Sequence, residues 1–189
     1  MRCSNISFTI LAVFLGTYQS GFAQELKSGP QVGEKITPFN PLNAVIGEKD
    51  DIVEAFGRNP TVLIFAKEAD AGFVSLVREL DARAAKANKA RPRRLNVAAI
   101  LTTDDENGKA KLLNLREKYK IDNVTLAIDN PSGPRGYKLA REAQVTVLLC
   151  EDLTVRVNYA FEKGKLDEKA IFKILLDIPK TTKPAQKRP

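Results

Sequence analysis

The residues with the best opportunity for chemistry are Lys67-Glu68-Ala69-Asp70-Ala71-Gly72. They stand between the apolar run TVLIFA (Thr61 to Ala66) and a stretch with apolar residues at helical spacing: Phe73, Leu76, Val77, Leu80 and Ala84. A turn from a buried strand into a helix is where many folds place reactive groups. This turn contains no sulfur. The chain also contains no histidine, which removes imidazole as general base, proton shuttle and metal ligand. Ser-His-Asp and Cys-His sites are thereby excluded. Lys67 and Arg78 have no convincing catalytic partner in the sequence.

Three other groups carry chemical potential. Cys150 ends the apolar run VTVLLC, where Leu148 and Leu149 imply burial and an inert sulfur; exposure with a positive neighbour would be needed for reactivity. Acids gather after three apolar runs: Glu68 and Asp70, then Asp104, Asp105 and Glu106, then Asp129 beside Asn130. If these runs are parallel strands, their ends share one edge, and Asp104, Asp105 and Asp129 become candidate ligands for calcium or magnesium. No EF-hand spacing is present, and helix capping by Asp70, Asp104 or Asp105 is the simpler expectation. The loop NPSGPRG places Pro131, Gly133, Pro134 and Gly136 beside Arg135 and could offer backbone N–H groups to an anion. It matches neither GxxxxGK[ST] nor GxGxxG, which weighs against nucleotides. No cofactor is expected.

The 189 residues suggest one domain plus small extras. The hydrophobic fraction of 43% supports a real core, and only 7% of residues are aromatic, so that core should be aliphatic. Residues 1–24 read as a cleaved signal peptide: Arg2, the apolar run Phe8 to Gly16, then small residues at Gly21 and Ala23. The run is far shorter than the ~20 residues a spanning helix needs. Cleavage would remove Cys3, leave Cys150 alone without a disulfide partner, and lower the net charge from +7 to +6 by the loss of Arg2. The expected destination is the periplasm or the exterior, with no integral membrane segment after cleavage. Positive charge concentrates in NKARPRR (Lys89, Arg91, Arg93, Arg94) and in the tail (Lys180, Lys183, Lys187, Arg188). No aromatics interleave these charges as a nucleic-acid stacking platform requires, so no nucleic-acid partner is expected.

The elements that must position these groups follow from periodicity. Residues 25–60 form an N-terminal extension, extended over the surface and able to add an edge strand, with a short helix DDIVEAF capped by Asp50 or Asp51. TVLIFA, LNVAAIL (Leu95 to Leu101), VTLAID (Val124 to Asp129) and VTVLLC (Val145 to Cys150) are buried strands. Helices are expected after the first two, the second carrying Leu112, Leu115 and Tyr119, and a short one at YKLARE. TVRVNYAF alternates as half of a hairpin and could pair with a partner. A last helix carries Ala170, Ile171, Ile174, Leu175 and Ile178, with Asp167 as cap and Pro179 as stop. The basic tail 180–189 is expected to be disordered. The order β-α-β-α-β-α-β-β-α implies a mixed sheet covered on both faces.

This order resembles the thioredoxin-like superfamily, in the form of exported bacterial redoxins and peroxiredoxins. The likeness spans about Val32 to Pro179. VGEKITPFNPLN is similar to the redoxin lead-in, TVLIFAKE looks like the strand before the redox motif, and the segment from VTLAIDNPSGPRGYKLA through VTVLLCEDLTVRV looks like the later strand, helix and hairpin. The resemblance implies a three-layer α/β/α sandwich with a mixed central sheet over residues 61–179. It implies Cys-x-x-Cys, or Pro-x-x-x-Thr/Ser-x-x-Cys, where Lys67 to Gly72 stand. It implies a cis-proline where Val145 stands, and Val145 should be trans because a cis bond before a non-proline costs roughly 2.5–4 kcal/mol. Both halves of the redox site are absent together. The expectation is therefore an exported domain with a degenerate active site, a binding module for an unknown protein or ligand. The alternatives are a one-cysteine redox protein or peroxide sensor using Cys150, and a binder of anionic cell-surface polymers.

Overall fold

The computed structural model describes residues 26–90 and 94–182. The expected signal peptide, Cys3, Arg91, Arg93, Lys183, Lys187 and Arg188 lie outside the described residues, as does most of the tail expected to be disordered.

Among the described residues, six strands form one sheet in the order β1-β4-β3-β2-β5-β6. They are β1 (Leu42–Asn43), β2 (Thr61–Ala66), β3 (Asn96–Thr102), β4 (Thr125–Asp129), β5 (Val145–Glu151) and β6 (Thr154–Phe161). β2, β3 and β4 run parallel, while β1, β5 and β6 pair antiparallel with their neighbours, so the sheet is mixed as expected. β2 is fully buried, consistent with its unbroken apolar run.

The helices are α1 (Ile52–Phe56), α2 (Ala71–Ala90), α3 (Gly108–Tyr119) and α4 (Glu168–Thr182). Side-chain oxygens start three of them: Asp51 accepts from the N–H groups of Val53 and Glu54, Asp70 from Phe73, and Asp167 from Ala170. Each such cap contributes about 1 kcal/mol.

The two faces of the sheet are covered differently. Connections β2-α2-β3 and β3-α3-β4 step across the sheet in one direction, and crossovers of common hand put both helices on one face. There Phe73, Leu76 and Leu80 of α2, Leu112 and Leu115 of α3, and Ile171, Ile174 and Ile178 of α4 pack on Val62, Ile64, Val97, Ala99 and Val147. Among the described residues, the opposite face has only the five-residue α1 and irregular chain. Ile36, Phe39, Ile52, Val53 and Tyr137 cover Leu63, Phe65, Ile100 and Leu148. The extension therefore does more than lie over the surface: Ile36 and Phe39 are buried in this second core, and β1 joins the sheet edge.

Two expected features differ. YKLARE forms no helix; residues 137–142 are turn and irregular chain. Lys138 has φ 53° and Gly133 and Gly136 are also left-handed, which breaks any helical run. Tyr137 is instead drawn inward, its hydroxyl donating to the Thr37 carbonyl at 2.9 Å and its ring packed edge-on to Phe39 and Phe65 at 5.2 and 5.4 Å. Second, α4 does not stop at Pro179 but continues to Thr182. A proline at 179 has no N–H for the Leu175 carbonyl. Arg83 of α2 supplies the missing donor, its Nη1 standing 2.9 Å from that oxygen.

The β5–β6 hairpin turns through Asp152 and Leu153, both left-handed at φ 49° and 62°, the backbone pattern that matches strand twist. Along the outer edge of β6 the extension acts as a strap. Gly33 donates to the Val155 carbonyl, Val155 donates to Glu34, Ile36 donates to Leu153, and the Asn158 amide donates to the carbonyls of Ser28 and Pro30.

Candidate functional site

The C-terminal ends of the parallel strands open into a cleft of about 800 Å³. Phe65, Leu101 and Leu139 give it apolar surface, while Thr102, Gln144 and Thr146 give it neutral polar groups. Lys67, Glu68, Asp104, Asp105, Lys111 and Arg141 supply its charge. This is the edge at which open α/β sheets hold ligands.

Backbone pairing places the expected redox position here. Ala66, the last residue of β2, stands opposite Val145, the first of β5, and Lys67 N–H donates to the Gln144 carbonyl at 3.1 Å. The strand end and the Val145 position are thus side by side. No cis peptide bond occurs among the described residues. The Lys67 ammonium donates to the Arg141 carbonyl, which ties the turn to the irregular segment before β5.

The six residues of the turn do not act as a unit. Lys67, Glu68 and Ala69 line the cleft, whereas Asp70, Ala71 and Gly72 line a separate cavity of about 280 Å³, bounded also by Gln144, Val145 and Leu166. Asp70 is occupied as a helix cap. Gly72 is where two backbones meet: a Cβ there would lie 2.6 Å from the Leu166 carbonyl oxygen. Packing accounts for both residues.

Of the candidate metal ligands, Asp104 and Asp105 line the cleft and Asp129 does not. Asp105 accepts from the Asn107 N–H at 2.9 Å and pairs with Lys111 at 2.6 Å. Those interactions, the Lys111 hydrogen bond first, hold its carboxyl below the usual carboxylate range. Asp129 turns to Asn130, accepting from its backbone and side-chain nitrogens. Among the described residues no group of three His, Cys, Asp or Glu is placed to hold a metal ion. Asp105 orders the loop rather than capping α3, whose N-cap position is Asn107. The NPSGPRG loop uses its own donors: Gly133 N–H donates to the Asn130 carbonyl and Ser132 N–H to the Asn130 side chain. An anion gains no helix N-terminus there.

Cys150 is 1% exposed, packed in the second core with Tyr137, Leu148 and Val155. Burial pushes its thiol up to about 12, opposite to what a nucleophile needs. It pairs with Thr61, the first residue of β2, whereas Lys67 follows the last. At ~3.4 Å per strand residue Cys150 lies roughly 20 Å along the sheet from Lys67.

Neutral residues inside apolar strands escaped sequence reasoning. Thr146 Oγ1 lies 2.6 Å from the Ser28 hydroxyl, and Ser28 in turn accepts from the Ala140 N–H. Gln144 is 8% exposed, lines the cleft, and has a buried Nε2 with no hydrogen-bond partner among the described residues. The only available signal was a glutamine at the entry of an apolar strand.

No protein-family model and no curated protein matches the sequence. Solved structures do match in shape. A peroxidoxin, BcpB, from Mycobacterium tuberculosis is 18% identical with a TM-score of 0.57, over 80% of this chain and 98% of that one. A secreted Mycobacterium tuberculosis disulfide oxidoreductase homologous to E. coli DsbE is 13% identical with a TM-score of 0.57, over 75% and 95%. A thiol peroxidase from Chromobacterium violaceum is 16% identical with a TM-score of 0.55, over 81% and 90%. The fold of this chain is thioredoxin-like.

Proposed function

We propose that this chain is an exported thioredoxin-like binding domain that takes a small ligand or a partner's segment in the cleft at its sheet edge and performs no thiol chemistry there. One observation carries the reading. The turn Lys67 to Gly72 beside Val145 holds no sulfur where the fold's redox enzymes need it, and Cys150 is buried at the far end of the same sheet. An unpartnered Gln144 amide in the cleft wall favours a ligand, since an unsatisfied buried polar group costs about 1–3 kcal/mol.

Export rests on Arg2 and the apolar run Phe8 to Gly16, together with the secreted oxidoreductase among the structures of like fold. Among the described residues no helix is long and apolar enough to cross a membrane. N-terminal sequencing of protein recovered outside the cytoplasm should begin near Glu25.

The activity test compares wild type with Cys150→Ser in disulfide-reduction and peroxide-consumption assays. Both proteins should match the buffer rate. Turnover by wild type that disappears in Cys150→Ser would sink the proposal. Ligand screening by NMR should move resonances of Lys67, Thr102, Gln144 and Thr146 together.

A further inference from the structure

The charges of the cleft divide into pairs that satisfy each other and groups that do not. Asp105 holds Lys111 at 2.6 Å, and Glu68 meets Lys163 at 3.3 Å. Asp104 and Arg141 line the cleft and are exposed, and neither side chain has an ion pair or hydrogen bond among the described residues. The Lys67 ammonium donates to the Arg141 carbonyl, which takes one of its three protons. One acid and two cations therefore remain with capacity to spare, and they stand apart. Asp104 follows β3, Lys67 follows β2, and Arg141 lies in the segment that leads into β5. β3 and β5 flank β2, so their ends are separated by roughly 10 Å of sheet edge.

The cationic side has a second element. Lys67 N–H donates to the Gln144 carbonyl at 3.1 Å and its ammonium to Arg141, so these three residues form one connected wall. In that wall the Gln144 side chain is 8% exposed, and its Nε2 has no partner among the described residues. Alternation along the chain puts this side chain on the face of Thr146, which also lines the cleft. A buried N–H donor beside two cations calls for a negatively charged acceptor, and a carboxylate supplies one. Asp104, across the cleft, calls for a cation. Half-buried Leu139 adds apolar surface beside Phe65 and Leu101. The lining acids Glu68, Asp104 and Asp105 balance Lys67, Lys111 and Arg141, so net charge on a ligand gains nothing from their sum. A ligand with both signs gains at each side.

We infer that the ligand of this cleft is a small zwitterion, an ammonium and a carboxylate on one short apolar skeleton, as in a free amino acid or a short peptide with both ends free. The carboxylate meets Lys67, Arg141 and the Gln144 amide, and the ammonium meets Asp104. This assignment rests on the binding reading above and names its ligand.

The test is calorimetric titration of the full-length chain with leucine, with leucyl-leucine, and with the two halves of leucine: isocaproate, which lacks the ammonium, and isoamylamine, which lacks the carboxylate. Leucine or leucyl-leucine should bind at least about tenfold more tightly than either half, because each half has lost one charged hydrogen-bonding group. The tighter of the two fixes the length of the ligand. Asp104→Asn should weaken the zwitterion about tenfold and leave isocaproate unchanged. Arg141→Gln should weaken the zwitterion and isocaproate and leave isoamylamine unchanged. Both side chains are exposed, so both variants should keep the unfolding midpoint of wild type. A half-ligand that binds as tightly as the zwitterion would overturn the inference, as would an Asp104→Asn chain that binds leucine like wild type. So would silence from both leucine and leucyl-leucine. Each of those outcomes leaves the binding reading standing; that reading falls separately, on thiol turnover that Cys150→Ser abolishes.

Discussion

The two ends of β2 differ in every property that matters for chemistry. At its C-terminal end the chain opens into a cleft with charged walls, neutral hydrogen-bonding groups and an unpartnered amide. At its N-terminal end Thr61 faces Cys150, sealed in an aliphatic and aromatic core. The fold supplies a reactive-site edge, and the sequence puts its described sulfur at the other one. A likeness in fold carries the cleft with it, and on the reading proposed above it does not carry the redox chemistry.

The comparison can be broken most directly at the sulfur. A thiol reagent should modify Cys150 in the native protein at least ~10³-fold more slowly than in denaturant, because access requires opening of the core. Fast modification well below pH 8.5 would place the reactive end where Cys150 is.

Next in size is the Gly72→Ala variant, which forces a methyl against the Leu166 carbonyl and should cost about 1–3 kcal/mol in denaturant unfolding. An unchanged stability would mean that the turn tolerates side chains and was not fixed by packing.

Alkaline stability gives a further contrast. The folded thiol is raised to about 12 from an ordinary value of 9.0. A raised folded value means that its contribution is whole below pH 9 and is lost as pH climbs from 9 toward 12. By pH 10 wild type should have lost about 1.4 kcal/mol more than Cys150→Ala, from parallel denaturant titrations. Parallel curves would show the thiol to be less buried than Leu148 beside it.

The smallest effect sharpens the other end. Gln144→Met removes an unpartnered buried amide and should leave stability unchanged or raise it by up to about 1 kcal/mol, while weakening any cleft ligand. A clear loss of stability would make Gln144 a packing residue.

Much of the architecture was legible because local signals agreed. TVLIFA is buried throughout, and Asp51, Asp70 and Asp167 cap their helices as their positions before apolar periodicity implied. Two misreadings share a cause. YKLARE reads as helix until Tyr137 finds the Thr37 carbonyl a hundred residues away. Pro179 reads as a stop until Arg83 reaches Leu175 from another helix. Both partners are distant in sequence, so no local window holds them. The cleft was half legible: the acids announced the edge, and the parallel strands brought Glu68, Asp104 and Asp105 to it. Gln144, Thr102 and Thr146 were silent because a polar residue within or at the end of an apolar run has no periodicity of its own.

The strap along β6 has a consequence for life at high concentration. A bare outer strand is an open valence to which identical chains can add one after another. Here residues 28–36 fill much of that valence from within the same molecule. Proteolytic trimming that removes them should bare that edge, and the expected outcome is faster aggregation of the trimmed protein than of the intact one.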